Sequence, residues 1–327
     1  MNTHISSFIE RRSIVALIAL ILIVVFLFVQ SRVRVGLLIT DTSSVSRVEG
    51  DILYDPAGVA HSLKKPAQRI VSAVLASDEM LEPLDIRDRI VGVTFLVDDE
   101  AISGVTPHYY PSSIARVKAE AENILALNPD LIFVTNFTQP ETVQLLMGSG
   151  VPVARLGSLV SFKDTERNLR LVGSAIGKRD EVETIITDMW KHIDSVHAKV
   201  KDLKKPTVLY YAQDGYTEGP GAFMDEVINL AGGTNVVGSA GIRGGMNISE
   251  ELAVSLQPEV IIVSSWSADN TDEYLQRILK NRLWQEVPAV KNKRVYLIKG
   301  SWLISTSQTR AKGVAEIAQL LHPEAFK

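Results

Sequence analysis

Apolar residues along this chain alternate between two signatures. Short, mostly apolar runs at residues 69–74, 89–95, 131–134 and 151–156 read as buried strands. Between them, residues 121–127 and 142–147 carry apolar positions at helical spacing, the first stopped by Asn128-Pro129. Ser77 reads as a helix N-cap, with Asp78 and Glu79 in the first turn, where the helix dipole favours acids. Pro83 follows closely, which predicts a short helix there. The alternation resumes further on, with strands at 207–211, 260–263 and 294–298 and helices at 222–230 and 311–321. Strands alternating with helices predict parallel α/β layers.

Between the two alternating stretches, no turn signal is stronger than Gly173 and Gly177. From Asp180 onward, Val182, Ile185, Ile186, Met189, Ile193 and Val196 recur at helical spacing, which predicts one long helix closed before Pro206. Upstream, 35–40 reads as extended chain, and Asp55-Pro-Ala-Gly58 is a turn signal. The predicted fold is therefore α/β: two parallel-sheet lobes bridged by one long rigid helix, after an N-terminal transmembrane helix or signal segment. The expected boundaries are an N-terminal segment 1–34, an extension and hairpin 35–67, a first lobe 68–163, a bridging helix 164–204 and a second lobe 205–327.

Residues 14–29 form an unbroken apolar run, with Arg11 and Arg12 before it and Arg32 and Arg34 after it. As a helix the run spans about 24 Å, against roughly 30 Å of bilayer hydrocarbon. A cleaved signal peptide and a retained signal anchor both fit. The run is long for a signal peptide, and Val29-Gln30-Ser31 is only a passable cleavage site, so the anchor fits better. Either reading sends the rest of the chain across the membrane.

The two lobes echo each other. Glu122-Asn-Ile-Leu-Ala-Leu-Asn-Pro129-Asp-Leu-Ile-Phe-Val134 matches Glu251-Leu-Ala-Val-Ser-Leu-Gln-Pro258-Glu-Val-Ile-Ile-Val263. Each runs from glutamate through a helix to proline, an acid and an apolar strand, which predicts related halves.

Composition narrows the function. At 327 residues the chain exceeds a usual single core. A net charge of -4 carries no nucleic-acid footprint. The absence of cysteine excludes thiol nucleophiles, cysteine zinc sites and a lipidated N-terminal cysteine within this sequence.

Several further stretches add to this order: Pro66-Ala-Gln-Arg69-Ile-Val-Ser72, Asp88-Arg-Ile-Val-Gly-Val93, Gly150-Val-Pro-Val153 and Asn168-Leu-Arg-Leu-Val-Gly173. The second lobe contributes Ala231-Gly-Gly-Thr-Asn235, Ser249-Glu-Glu251, Trp284-Gln-Glu-Val-Pro-Ala-Val290, Arg294-Val-Tyr296 and His322-Pro323. In this order, over about residues 52–324, the chain resembles the periplasmic substrate-binding proteins of iron-siderophore, haem and vitamin B12 ABC importers. The resemblance implies a monomeric extracytoplasmic receptor without cofactor, delivering a metal chelate from an inter-lobe cleft to a permease dimer and its ATPase. It departs from the family at its helical start, at Asp85 where a glycine often ends the first helix, and in the loop 94–116.

Ligands of open α/β sheets sit beyond the carboxyl ends of the strands. Tyr109, Tyr110, Trp266 and Trp302 follow predicted strands and are candidate stacking residues, with Tyr216 in a glycine-rich loop. Tyr110-Pro111 and Trp302 resemble cleft positions of the family. Arg116 and Arg243 are the candidate cleft cations for an anionic ligand. Glu122 and Glu251 match the family's transporter-docking glutamates, one per lobe. The histidines do not converge: His192 and His197 sit at a spacing that shares a helix face poorly, so no bare metal-ion site is expected. His108, Tyr109 or Tyr110 as a ligand to haem iron stays open. The glycine-rich stretch 232–245 admits a phosphate-loop reading, but such loops open a helix after a strand, and this one follows a predicted helix. No catalytic set is apparent. A membrane-tethered ligand sensor without a transport role is the other class that fits.

Overall fold

The computed structural model describes residues 45–264, 271–303 and 305–327. The predicted anchor at 14–29, the extended segment at 35–40 and Trp266 lie outside the described residues. Among the described residues, no helix is long and apolar enough to cross a membrane.

Strands β1 (Arg47–Glu49), β2 (Ile52–Tyr54) and β3 (Ala60–Ser62) form a small antiparallel sheet. Its second turn is the predicted one: Asp55 accepts from the amides of Ala57 and Val59, both at 2.9 Å, and Gly58 takes φ 80°. Strands β4 (Ile70–Ser72), β5 (Ile90–Thr94), β6 (Ala115–Val117), β7 (Leu131–Val134) and β8 (Val153–Arg155) build the first lobe. They form a parallel sheet in the order β6-β5-β4-β7-β8. In the second lobe, β9 (Thr207–Tyr210), β10 (Tyr216–Glu218), β11 (Thr234–Asn235), β12 (Gly245–Asn247), β13 (Val260–Val263) and β14 (Val295–Leu297) follow. There, β11-β9-β13-β14 are parallel, and β10 and β12 form an antiparallel ribbon. Every residue of β7 and β13 is buried, as expected of parallel strands covered on both faces.

The internal echo is structural. Asp130, after Pro129, accepts from the amides of Gln68 and Arg69 at 2.8 Å each, tying β7 to the start of β4. Glu259, after Pro258, accepts from the amide of Thr207 at 2.8 Å, tying β13 to the start of β9.

The bridging helix is Arg179–Val200, shorter than the predicted 164–204. Gly177, at φ 76°, ends a separate helix, Phe162–Ile176. The two helices run antiparallel, held by Arg170 on Glu183 and by the Trp190 indole donating to Glu166 at 2.8 Å. Close approach requires Gly173, where a Cβ would lie 2.6 Å from Val182 Cγ2. Val182 and Ile186 pack into the first lobe's core, while Met189, Ile193, Val196 and Val200 pack into the second's. Burying each such side chain contributes about 1.5–3 kcal/mol, so one helix is anchored in both cores.

The first-lobe helix Leu75–Leu81 begins earlier than expected. Ser77 lies inside it, and its hydroxyl donates to the Val74 carbonyl at 3.0 Å instead of capping. The helix is short, as Pro83 implies: it passes into a tight turn, Glu82–Leu84, that closes on Asp85 at φ 50°.

Candidate ligand cleft and partner-facing surfaces

The carboxyl edge of the first sheet exposes large apolar side chains. Phe95, the residue after β5, is 51% exposed, and Phe137, just past β7, is 73% exposed. The turn behind Phe137 is rigid: the Thr135 amide donates to Thr138 Oγ1 at 3.2 Å, and the Phe137 amide to Thr135 Oγ1 at 3.1 Å. Both threonines are buried, so the ring is held outward. Strands β5 and β7 flank β4, placing the two phenylalanines on either side of the sheet's centre. Val160, 49% exposed, extends the apolar edge beyond β8. Its loop is held by Asp164, which accepts from the Val160 amide at 3.2 Å and the Ser158 hydroxyl at 2.8 Å.

The predicted aromatics of this lobe are elsewhere. Tyr110 is 3% exposed, and its hydroxyl donates to the Asp78 carbonyl at 2.6 Å. It closes the core under the loop 95–116 instead of lining the cleft. Tyr109 packs edge-on against Tyr110, donates to the Glu82 carbonyl at 2.7 Å and carries the Arg87 guanidinium over its ring. Arg116 is also committed: it makes a two-point pair with Asp98 at 2.7 and 2.9 Å and donates to the carbonyls of Tyr110 and Ile114. It clasps the loop and is no open cleft cation.

In the second lobe, Trp302 sits half-buried on the short helix Gly300–Leu303 beyond β14, packed against the core. Tyr216, on β10, packs against the same core and donates to Glu218 at 3.2 Å. Arg243 is exposed, with no side-chain partner among the described residues. Gly232 takes φ 81° and caps the helix Phe223–Leu230, with the Gly233 amide donating to the Ile228 carbonyl at 2.9 Å. The glycine-rich stretch thus ends a helix and does not open one.

Sequence reasoning missed a buried acid seam. Asp78 and Glu79 are both fully buried. Burial pushes Asp78 up to about 8, against hydrogen bonds from Ser72 and Thr94. Burial also raises Glu79, opposed by Ser305, Ser307, the Gly104 amide and the Arg310 charge. Glu79 spans the lobes: it accepts from Gly104 at 2.7 Å and from Ser305 at 2.5 Å, and Gln308 donates to its carbonyl at 2.8 Å. Arg310 crosses beside it to the Leu159 carbonyl at 2.7 Å, with its guanidinium 3.6 Å from the Phe223 ring centre.

A hollow of about 770 Å³ lies among Arg69, Asp88, Ile90 and Leu127, at the amino ends of β4 and β5. That end of a parallel sheet is opposite to where ligands of such folds bind. The exposed aromatic edge lies instead at the carboxyl end of the sheet.

Glu122 and Glu251 are both exposed and stand at the second position of short helices, Ala121–Leu125 and Glu250–Ser255. The amide of Glu251 and the Ser249 hydroxyl hold the Glu251 carboxyl below the usual range.

The periplasmic binding protein family model matches residues 70–301, from the first strand of one lobe to the short helix Gly300–Leu303 of the other. The chain belongs to the periplasmic binding protein family. This periplasmic binding protein is 24% identical over 282 residues to the ABC transporter substrate-binding lipoprotein YvrC of Bacillus subtilis, covering 81% of this chain and 83% of that one. It is 26% identical over 228 residues to a cobalamin-binding protein of Halobacterium salinarum, covering 67% of this chain and 59% of that one. The molybdate-bound MolA structure of Haemophilus influenzae superposes with a TM-score of 0.69 at 20% identity, over 84% of this chain and 92% of that one. As a member of the family, the present protein differs from the lipoprotein relative in one chemical respect. No cysteine among its 327 residues is available to carry a lipid.

Proposed function

We propose that this protein is the extracytoplasmic receptor of an ABC importer and captures a bulky metal chelate in the cleft between its lobes. Ferric siderophores and corrinoids come first, haem second. The observation that carries the ligand class is the pair Phe95 and Phe137, exposed at the ends of the two strands that flank β4, where polar side chains would serve a small solute. Aromatic faces stack on planar or apolar ligand surfaces. Relatives named for cobalamin, Fe(3+)-citrate and iron uptake support this reading. A relative named for molybdate is the counter-example. A compact oxyanion needs converging donors, and here Arg116 is already spent on Asp98.

Mass spectrometry of what co-purifies with the protein tests the ligand class directly. Phe95→Ala with Phe137→Ala should weaken chelate binding by roughly 2–4 kcal/mol. Tight binding of molybdate, an amino acid or a sugar, with no chelate bound, would refute it.

Glu122 and Glu251 are the proposed contacts to the two permease subunits. Charge pairs there would set orientation and association rate more than affinity. Changing both to Ala should spare ligand affinity and reduce uptake and receptor-stimulated ATP hydrolysis. Normal uptake by that double variant would leave the glutamates as helix-end residues only, whereas uptake that does not depend on the unaltered protein would favour a sensor that does not transport. Residues 14–29 would tether the receptor to the outer face of the cytoplasmic membrane, or be removed on export. A mature N-terminus near Arg32 would establish removal.

A further inference from the structure

Most exposed large apolar side chains of the described residues belong to the N-terminal sheet, to strand ends or to the β10–β12 ribbon. Three do not: Leu145, 64% exposed, Leu252, 37%, and Leu283, 48%. All three flank the two repeated glutamates. In the first lobe, Thr142 donates to the Ala119 carbonyl at 3.3 Å, fastening the helix Pro140–Gly148 beside the helix that carries Glu122. Leu145 is three residues beyond Thr142 and shares its face. In the second lobe, Asn281 donates to Glu250 at 2.9 Å and accepts from the Leu283 amide at 3.0 Å. That fastens Leu283 beside the helix carrying Glu251, where Leu252 is the next residue.

The two lobes therefore present the same combination: an exposed carboxylate at the second position of a short helix, and an exposed leucine on a neighbouring segment. Helix-end compensation explains a glutamate alone. It does not explain why an apolar side chain stays in water beside each one. We propose that Leu145 in one lobe, and Leu283 with Leu252 in the other, are the apolar halves of a docking patch occurring once per lobe. Its occupant is a two-fold symmetric membrane partner offering a basic and an apolar side chain from each of two identical subunits. A two-fold partner displays one surface twice, and this chain's internal repeat displays the glutamate twice, with an exposed leucine on a segment beside each. The carboxylates steer the encounter, while the leucines lose water and lengthen the bound state. The inference rests on the receptor reading for the identity of the partner as a permease.

The absence of cysteine makes the test direct. Leu145→Cys, Leu283→Cys, Glu122→Cys and Glu251→Cys are made singly in the full chain, with Lys64→Cys on the N-terminal sheet as control. Each is treated in native membranes with a short thiol-to-amine cross-linker. The expected result is an adduct to the same polytopic membrane subunit from both Leu145→Cys and Leu283→Cys, and none from the control. Adding Leu145→Ser and Leu283→Ser to Glu122→Cys should lower its adduct yield on the order of tenfold. Adducts from the glutamate positions alone, with yield unchanged by the serine changes, overturn this inference and leave the receptor reading standing. No membrane adduct from any of the four positions overturns both. Adducts to a second copy of the chain make the patch a self-association surface and overturn it too. The four positions are solvent-facing, and unchanged melting temperatures confirm that the variants fold.

Discussion

Asn128 and Gln257 hold the same left-handed backbone, at φ 49° and 48°, each one residue before the proline that leads into a buried strand. Neither is glycine, so both positions carry strain that an L side chain rarely accepts. Asparagine tolerates this region better than glutamine does. Gln257→Gly should therefore stabilise the protein by about 0.5–1 kcal/mol, and Asn128→Gly by less. The Gln257 side-chain Nε2 also donates to the Val254 carbonyl at 2.9 Å, a bond the glycine loses, which limits its gain. Urea unfolding of both variants checks the order. A larger gain at Asn128 would mean that the two turns are not equivalent in energy.

Stability should fall as pH rises through neutrality. Asp78 is raised from 3.8 to about 8, so the folded state keeps a proton that the unfolded chain has released. Its contribution is complete below about pH 4 and is lost as pH climbs to about 8, at no more than about 1.4 kcal/mol per pH unit. Glu79 is shifted in the same direction. Melting temperatures taken between pH 5 and pH 9 should decline, and Asp78→Asn should flatten the decline. An unchanged slope would show that Asp78 is not the buried acid responsible.

The acid limb has a different origin. Burial alone would raise Glu166, but Lys163, Arg170 and the Trp190 indole outweigh it and hold the carboxyl down to about 2. Its stabilising effect is present above the unfolded carboxylate range and is lost as pH falls toward 2. Glu166→Gln should lose stability at neutral pH and unfold with a weaker acid dependence below pH 4, read by circular dichroism.

Tyr110 and Phe137 should separate folding from binding. Tyr110→Phe removes a buried hydrogen bond to the Asp78 carbonyl and should cost about 1–2 kcal/mol of stability. Phe137→Ala changes an exposed ring and should leave stability within about 0.5 kcal/mol while weakening ligand binding. Calorimetric unfolding beside ligand titration distinguishes the two. A Phe137 variant with full affinity would remove that ring from the cleft.

The bridging helix depends on one close approach. Gly173→Ala would place a methyl 2.6 Å from Val182 Cγ2 and 2.9 Å from the Lys178 carbonyl oxygen. Overpacking of that kind should cost about 1–3 kcal/mol. Ser174→Ala, one residue on and only partly buried, is the matched control, and chemical denaturation compares the two.

Much of this architecture is legible in the chain itself. The strands at 131–134 and 260–263 and the helix at 311–321 lie where periodicity puts them, because buried parallel strands and amphipathic helices are written in neighbouring residues. The proline, acid and apolar run after each repeated helix likewise announces two related lobes, since turn chemistry is local. The split at Gly177 was visible only as a glycine. Its helix-ending role is decided by Val182 and Trp190 folding back on the preceding helix.

The site was harder to read, for a physical reason. Whether an aromatic ring is stacked in a core or turned to a ligand depends on what packs over it from distant parts of the chain. Tyr110 is covered because the loop 95–116 folds onto the helix Leu75–Leu81, and Arg116 is neutralised because the same loop brings Asp98 to it. Phe95 and Phe137 stay open because nothing among the described residues covers the ends of β5 and β7. Glu79 is buried because Ser305, more than two hundred residues later, closes on it from the other lobe. The sequence by itself determined the elements, their order and the repeat. Only the tertiary structure decided which side chains those elements spend on one another and which they leave for a ligand or a partner.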